Sequence, residues 1–397
     1  MIRSSKHILK YNTNHKDSML DTIFTDYRED LSYYIDLIIS GQLPLKKNLS
    51  SKFLPTNKLQ QSRWRQVVYK QASEILRSQI KSANERRYKR YKEVYYKCKQ
   101  KDKCKWFTSK KYSELNLNFV LYTKWFTKPD ISNITITLDQ RFINIQQGNH
   151  FDEFIRITSP YFINGKNRTI KINVPIKQHK HSLKFKNWNR KNSIQLSVIN
   201  NNYYMTLFYE KEQPELKQIG NILGIDQGYK KLLSCSDGET FGQELESLYN
   251  KLSNKVKGSK AYKKLLIHKK NLINYYINQL NTNNTKEIVI EQLKKVKHKT
   301  KQKKSIYTKF MNKMQYWSYR SVIGKLERLC EENGVLLTKV NPAYTSQTCS
   351  HCGCVDKKSR QGEIYSCQHC GYVNDADINA SINISRMGVY SLHSPPS

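Results

Sequence analysis

The sequence predicts a multidomain α+β protein, and three changes of pattern along its 397 residues support that fold class. Residues 15–114 carry apolar side chains at helical spacing, and residues 115–219 alternate apolar and polar side chains. Residues 220–397 alternate short apolar runs with helix-like segments. Periods near 3.6 and 2 residues are typical of amphipathic helices and half-buried strands, and a chain of this length has room for two or three domains.

The first part of the chain predicts one strand and two helices. The strand lies within residues 1–12, and an amphipathic helix follows over residues 19–40, with Gly41 as its stop signal. A second, long helix is predicted over residues 59–99. Its far end is unusual, because residues 81–111 contain 13 Lys or Arg and three acids. A solvated helix face usually mixes both signs, so we expect nucleic-acid contact here, by Arg86, Arg87, Lys89 and Arg90.

Several short strands with period two follow between residues 117 and 210, separated by turns rich in Asn, Gly and Lys. This spacing favours a β-barrel or a sandwich. The strand at the start of the chain is expected to join this sheet, so that the two helices form an insertion. Pro214 and Gly220 mark the next boundary.

The remaining residues predict an α/β domain. Strands are expected at 221–226, 231–236, 287–292 and 336–340, and helices at 243–281, 315–333 and 377–386. A cysteine-rich segment interrupts this pattern before the last helix.

The charge of the chain constrains its partners. Lys and Arg outnumber Asp and Glu by 69 to 32, a net charge of +37, which favours nucleic acid over an anionic membrane or an acidic protein. No apolar run reaches the 18 or so residues of a membrane-spanning helix, and the N-terminus lacks the apolar core of a secretion signal. We therefore expect a cytoplasmic protein with nucleic-acid partners and no membrane partner.

Three acids stand at the ends of predicted elements. Asp226 ends one apolar strand, Glu291 ends another, and Asp377 opens the last helix. Each has an ordinary explanation: turn chemistry for Asp226, a lysine partner for Glu291 from residues 294–304, and helix capping for Asp377 or its neighbour Asp375. Together, however, carboxylates on separate elements suit two Mg²⁺ ions for phosphodiester hydrolysis.

Four cysteines predict a structural zinc site. Cys349 and Cys352 form one Cys-x2-Cys pair, and Cys367 and Cys370 form a second pair after 14 residues. This is nearly the spacing of a zinc ribbon. Four thiolates make a closed tetrahedral site, in which Zn²⁺ is structural.

Five motifs of the C-terminal half together resemble the TnpB (OrfB) proteins of insertion-sequence transposons and the related miniature type V CRISPR effectors. They are NILGIDQG, EIVIEQL, NPAYTSQTCSHCG, CQHCGYV and DADINASINI. The resemblance implies an RNA-guided DNA endonuclease with guide RNA and double-stranded target DNA as partners. It also implies that Asp226, Glu291 and Asp377 bind magnesium and that the four cysteines bind zinc.

The resemblance further implies a domain layout. Residues 1–14 and 115–219 correspond to a wedge β-barrel, residues 15–114 to a helical recognition domain, residues 220–345 and 374–397 to a RuvC-like, RNase H-like nuclease domain, and residues 346–373 to an inserted zinc ribbon. Three alternatives stay open: a CRISPR effector, an RNA-guided repressor on the same scaffold, and an unguided nuclease of the RNase H class. Asp375 competes with Asp377 for the metal role, because the two acids flank Ala376.

Overall fold

The computed structural model describes residues 1–99, 127, 129–163, 168–293 and 316–391. The chain divides into two compact units, residues 2–211 and 212–397. Three predicted features lie wholly or partly outside the described residues: the basic stretch beyond residue 99, the strand predicted from residue 117, and the lysines of 294–304.

The strands of the first unit form two antiparallel sheets. The strands are β1 Ile2–Ile8, β2 Thr135–Leu138, β3 Ile143–Gln147, β4 Glu153–Phe162, β5 Thr169–Ile176, β6 Asn189–Ile199 and β7 Asn202–Glu210. One sheet has the order β1-β7-β6-β2 and the other the order β3-β4-β5. The first strand of the chain pairs with β7, as predicted. Strand pairing that closes these two sheets into one barrel is not seen among the described residues.

Two helices belong to the same unit, α1 Asn14–Ile39 and α2 Ser62–Lys99. Helix α1 begins where the Thr13 side chain accepts a hydrogen bond from the N–H of Lys16, which satisfies one of the free donors at a helix start. Buried residues of both helices, such as Tyr27 and Trp64, share one hydrophobic cluster with buried residues of the strands, such as Ile155. The predicted helical and barrel regions therefore lie within one compact unit, and the boundary between them stays a prediction.

A mixed five-stranded sheet forms the centre of the second unit. Its strands are β8 Asn221–Asp226, β9 Leu233–Cys235, β10 Thr240–Phe241, β11 Thr285–Glu291 and β12 Leu336–Val340, in the order β10-β9-β8-β11-β12. Strands β8, β11 and β12 are parallel, whereas β9 and β10 are antiparallel to their neighbours. A small second sheet contains β13 Arg360–Gln361, β14 Ile364–Ser366 and β15 Val373–Asp375.

Among the described residues, four helices accompany this sheet: α3 Leu245–Ser253, α4 Lys260–Ile277, α5 Tyr319–Asn333 and α6 Ala376–Ser391. The helical stretch predicted over 243–281 contains two helices, α3 and α4. Gly258 between them has a positive φ of 87°, a conformation that interrupts a right-handed helix. None of the described helices is long and apolar enough to cross a membrane.

Helix α6 packs closely against the middle of the sheet. A Cβ atom added to Gly224 of β8 would lie 2.1 Å from the carbonyl oxygen of Ser381 on α6. Such a contact is far inside van der Waals distance, so only glycine permits this approach. The glycine of the NILGID motif therefore brings the start of α6 near the end of β8.

Candidate active site

The three predicted acids lie around one end of the mixed sheet. Ile225 of β8 and Ile290 of β11 are register partners in parallel strands, so Asp226 and Glu291, one residue further on, end neighbouring strands at the same edge. Asp377 is the second residue of α6, the helix that packs over β8. The carboxyl ends of parallel strands are the usual place for a ligand site in such sheets.

The three carboxyl groups are close enough for Glu291 and Asp377 to affect the pKa of Asp226. The pKa of Asp226 is raised from 3.8 to about 7, first by burial and then by repulsion from Glu291 and Asp377. Arg360 acts in the opposite direction. A carboxyl group whose pKa is raised by burial and by two neighbouring acids is a group that a bound cation would stabilise in its ionised form.

Glu291 is held by a hydroxyl group that the sequence reasoning missed. The Oγ1 of Thr345 donates a hydrogen bond of 2.5 Å to Oε1 of Glu291. Burial raises the pKa of Glu291, and this hydrogen bond and the charge of Arg360 offset part of the rise. Thr345 is 3 % exposed and lies in the motif NPAYTSQTCSHCG, so the motif marked its position without indicating its role.

Asp377 is paired with two cations. Nη2 of Arg360 donates to Oδ1 of Asp377 at 2.8 Å, and Nζ of Lys231 lies 3.6 Å from its Oδ2. Arg360 begins the short strand β13, within the cysteine-rich segment. Neither cation was predicted, because both are distant from Asp377 in sequence.

Asp375 has a different environment from Asp377. Its Oδ1 accepts hydrogen bonds from the N–H groups of Asp377 and Ile378, which makes it the cap of α6. Its Oδ2 accepts from Nζ of Lys231 at 2.5 Å. Burial favours the neutral form, but the bond from Lys231 and the two N–H groups outweigh it and lower the pKa of Asp375. Of the two capping candidates, Asp375 is the one that caps.

Gln227 is a further polar residue at this site that sequence reasoning passed over. It follows Asp226 directly and is 5 % exposed. Neither its Nε2 nor its Oε1 has a hydrogen-bond partner in the part of the chain that the structure describes. A buried amide without partners costs roughly 1–3 kcal/mol. An amide kept beside a candidate catalytic acid at that cost is typical of a group that meets a ligand.

The four cysteines meet the geometry of a tetrahedral zinc site. Sγ of Cys349 lies 3.7 Å from Sγ of Cys370, and Sγ of Cys352 lies 3.7 Å from Sγ of Cys367. All four sulfur atoms lie within 4.8 Å of one another. A tetrahedron with Zn–S bonds of about 2.3 Å has sulfur–sulfur edges of about 3.8 Å, so these residues fit Zn²⁺.

The local backbone of each cysteine pair supports this fit. The N–H of Gly353 donates to the carbonyl of Cys349, and the N–H of Gly371 donates to the carbonyl of Cys367. Both glycines have positive φ, 77° and 73°, which a tight turn around a metal requires and which side chains disfavour. Hydrogen bonds from the N–H groups of Cys370 and His369 lower the pKa of Cys367 to about 6, which favours the metal-binding thiolate.

The carboxylate oxygens of the three acids do not lie as close together as the four cysteine sulfur atoms do. Among the described residues, the cysteines form the only group of three or more His, Cys, Asp and Glu side chains placed to hold one ion. Arg360 and Lys231 occupy oxygens of Asp377 instead. The carboxylate oxygens are nonetheless the donors that Mg²⁺ prefers, and their mutual repulsion at Asp226 fits a cation.

The four predicted nucleic-acid contacts lie on α2, in the other unit. Arg86, Lys89 and Arg90 are exposed, and Arg87 is half-buried. Ala83, one turn earlier, is fully buried, so the helix has an apolar side and a basic side here. The rest of the basic stretch, from residue 100, lies outside the described residues.

Residues 319–384 match the family model described as Cas12f1-like, TNB domain. A CRISPR-associated endodeoxyribonuclease Cas12f1 from Sulfoacidibacillus thermotolerans is 42% identical over 18% of this chain and 17% of its own length. The TnpB-like protein aq_aa05 of Aquifex aeolicus (strain VF5) is 33% identical over 24% of this chain and 31% of its own length. The chain therefore spans less than a third of the length of these two relatives.

A solved structure supports the fold over nearly the whole chain. CasPhi-2 (Cas12j), solved by cryo-electron microscopy bound to crRNA and phosphorothioate-DNA, aligns with a TM-score of 0.53 at 11% identity. The alignment covers 98% of this chain and 91% of that chain. At this identity the likeness concerns the fold, a mixed α+β architecture with several domains. The predicted resemblance to the TnpB proteins and the related miniature type V effectors is confirmed by the relatives over the C-terminal part of the chain.

Proposed function

We propose that this chain is an RNA-guided DNA endonuclease of the TnpB type. The observation that carries the proposal is the position of three acids at one end of the mixed sheet: Asp226 and Glu291 end neighbouring parallel strands, and Asp377 opens the helix that packs against β8. Three carboxyl groups gathered in a chain with a net charge of +37 suit a site where cations and phosphates meet. The family model described as Cas12f1-like, TNB domain matches residues 319–384, which contain Asp377, and one matching relative is named as an endodeoxyribonuclease.

The proposal assigns domains as well as a site. Residues 220–345 and 374–397 form the RuvC-like, RNase H-like nuclease domain, and residues 346–373 the inserted zinc ribbon. Residues 1–14 and 115–219 form the wedge, and residues 15–114 the recognition domain. The mixed sheet with three parallel strands supports the first assignment, and the four-cysteine cluster supports the second.

Asp226, Glu291 and Asp377 would hold the Mg²⁺ ions, and Cys349, Cys352, Cys367 and Cys370 the Zn²⁺ ion. Bound divalent ions activate water and stabilise the leaving oxygen in phosphodiester hydrolysis. The chain's own residues prepare the site: Thr345 orients Glu291, and Arg360 holds Asp377. Lys231 lies 2.5 Å from Asp375 and 3.6 Å from Asp377, so it pairs mainly with Asp375 and the two neighbouring acids have different roles.

Guide RNA and double-stranded DNA are the partners under this proposal, and the cytoplasm is the compartment in which both would be met. In guided nucleases, base pairing to the RNA reads the target, while the protein binds the duplex by its phosphates. The exposed Arg86, Lys89 and Arg90 of α2 are suited to that task. A miniature type V CRISPR effector is the second candidate, because one matching relative is named as CRISPR-associated. A repressor that only binds DNA is disfavoured by the presence of all three acids.

The test compares two aspartates that lie two residues apart. Asp377→Asn removes a proposed metal ligand, whereas Asp375→Asn replaces the helix cap by a residue that caps equally well. The protein is purified with its copurifying RNA, which is sequenced, and a plasmid carrying the matching target is then incubated with Mg²⁺. We expect Asp377→Asn to lower the cleavage rate by more than about 100-fold. Mutation of an outer partner, a residue that only contacts a metal ligand, typically lowers activity by roughly tenfold to 100-fold.

Asp375→Asn should lose no more than roughly tenfold to 100-fold, since Asp375 serves only as an outer partner of the site. Gel-shift binding of the target is the control, because both variants keep the basic surfaces. Cleavage by Asp377→Asn at the wild-type rate would contradict the proposed site. Absence of copurifying RNA, with cleavage retained, would instead support the unguided nuclease.

A further inference from the structure

A polar cavity of about 410 Å³ lies in the first unit, on the sheet formed by β1, β7, β6 and β2. Residues 189–193 of β6, residues 139–141 after β2, and Glu210 of β7 line it. No apolar side chain is among these lining residues. Its volume falls in the range of about 300–1,000 Å³ that is typical of small-ligand sites.

A bulge in β6 creates the cavity. Arg190 is the register partner of Tyr209, whereas the next paired residue, Ile194, faces Leu207. Residues 191–193 therefore stand opposite Phe208 alone. Bulges bend a strand and redirect its side chains, and they are frequent beside functional sites. Here the bulge takes Lys191, Asn192 and Ser193 out of the regular alternation and brings them to the cavity wall.

The cations of the cavity are already neutralised. Arg141 forms a bidentate salt bridge with Asp139, in which Nη2 and Oδ2 are 2.7 Å apart. Lys191 pairs with Glu210 at 2.8 Å, and Arg190 pairs with Glu153. A site built to hold phosphate alone would present unpaired cations. The cavity is therefore better suited to a ligand with neutral polar edges.

The groups that remain available match a nucleobase. Gln140, Asn189 and Asn192 are exposed at the rim, and amide side chains recognise base edges by paired hydrogen bonds. The flat Arg141–Asp139 pair is about half exposed, and guanidinium planes are surfaces on which unpaired bases stack.

The segment between β5 and β6 extends this surface. Residues 177–188 contain four lysines and no acid. The Phe185 ring stacks on Tyr209, the residue before Glu210, at 5.1 Å, and Trp188 lies 5.3 Å from Phe185. Phe185 is itself buried, so these rings fix the segment from below, while its four lysines are exposed to solvent. Phosphates on either side of a bound base would find their cations here.

We propose that the cavity at the β6 bulge binds one unpaired nucleotide of a single-stranded RNA or DNA segment. The base stacks on the Arg141–Asp139 pair, and its edge meets the amides of Asn189 and Asn192. This inference rests on the proposed function in one respect: a guided nuclease is the kind of protein that holds unpaired nucleotides.

The test uses the full chain and two independent readouts. AMP, CMP, GMP and UMP are titrated separately against the protein by calorimetry, and a short RNA containing 4-thiouridine is photo-crosslinked and mapped by mass spectrometry. The variant is Asn189→Ala with Asn192→Ala, and the control is Asn144→Ala, an exposed asparagine on β3. Asn192→Ala alone serves if the double variant does not fold.

We expect at least one nucleotide to bind and the double variant to lose about tenfold or more in affinity, since a matched amide–base pair discriminates by roughly 1–3 kcal/mol. The control should bind like the wild type, and crosslinks should fall within 139–141 or 189–193. Unchanged affinity in the double variant, crosslinks only elsewhere, or equal competition by inorganic phosphate would each overturn the proposal. Because neither readout needs Mg²⁺ or cleavage, its failure would leave the nuclease proposal intact, and the converse also holds.

Discussion

Replacing Asp226 by asparagine should stabilise the Mg²⁺-free protein at neutral and alkaline pH. The folded state raises the pKa of Asp226 from 3.8 to about 7. A raised folded pKa means that the folded protein binds this proton more tightly than the unfolded chain does. Its contribution to stability is therefore complete below about pH 4 and is lost as the pH rises through about 7. An asparagine side chain does not titrate, so the Asp226→Asn variant would escape this loss.

The magnitude follows from the size of the pKa shift. One pKa unit corresponds to about 1.4 kcal/mol, so a shift of about three units sets an upper limit of about 4 kcal/mol above pH 8. At pH 5 the wild type has already lost about 1–2 kcal/mol of the stabilisation that protonated Asp226 provides. The stability difference between variant and wild type should therefore grow by about 2–3 kcal/mol between pH 5 and pH 8. Burial is the largest physical source of the shift, and repulsion from Glu291 and Asp377 adds to it.

The assay is urea denaturation at several pH values, followed by circular dichroism. Magnesium is removed by dialysis without a chelator, so that any zinc stays bound. A second series contains Mg²⁺, which should stabilise the wild type by about 2.7 kcal/mol at 100 times its dissociation constant and the Asp226→Asn variant much less. A stability difference that does not change with pH would show that the three carboxyl groups are not gathered as described, and would remove the main support for the nuclease site.

Three further predictions concern other parts of the chain. Cys349→Ser with Cys367→Ser should abolish about one bound zinc per chain and lower cleavage, while Cys354→Ser keeps the metal; elemental analysis of freshly purified protein decides this. Arg86, Arg87, Lys89 and Arg90 changed together to Gln should flatten the slope of log binding constant against log salt concentration by about three to four units. Circular dichroism is the folding control. An unchanged slope would show that the target is bound elsewhere on the protein. Gln227→Leu should raise the free energy of unfolding by about 1–3 kcal/mol, because an unpartnered buried amide is removed; a less stable variant would show that Gln227 has a structural partner.

The sequence predicted the edge of the sheet where the site lies, because strand ends can be read from local pattern. Apolar runs that stop at Asp226 and Glu291 indicated both strands, and the observed strands end at those residues. The Cys-x2-Cys pairs likewise predicted a cluster that the sulfur positions now support. These patterns involve residues that are close in sequence, so they can be recognised without the tertiary structure.

What the sequence did not provide was the set of contacts between distant residues. Lys231 and Asp375 are 144 residues apart, and Thr345 and Glu291 are 54 apart. Nothing in the local pattern distinguishes Lys231 from the many other lysines of the chain. The choice between Asp375 and Asp377 was open for the same reason, since both suit a helix start, and only the hydrogen bonds of the folded chain separate the cap from the acid that faces Asp226.

The position of the zinc ribbon gives it a direct influence on the acid site. Strand β14 of the ribbon pairs with β15, which leads straight into α6, and the N–H of Ala376 donates to the carbonyl of Glu363. Further along α6, Asn379 and Asn383 donate to the carbonyl of Thr348, next to the first zinc cysteine. Arg360 of the same ribbon holds Asp377. Loss of zinc would therefore loosen the helix that presents Asp377 and the arginine that orients it, although no acid is changed. Under the proposed function, a structural metal and a catalytic acid share this short segment because the first would fix the geometry of the second.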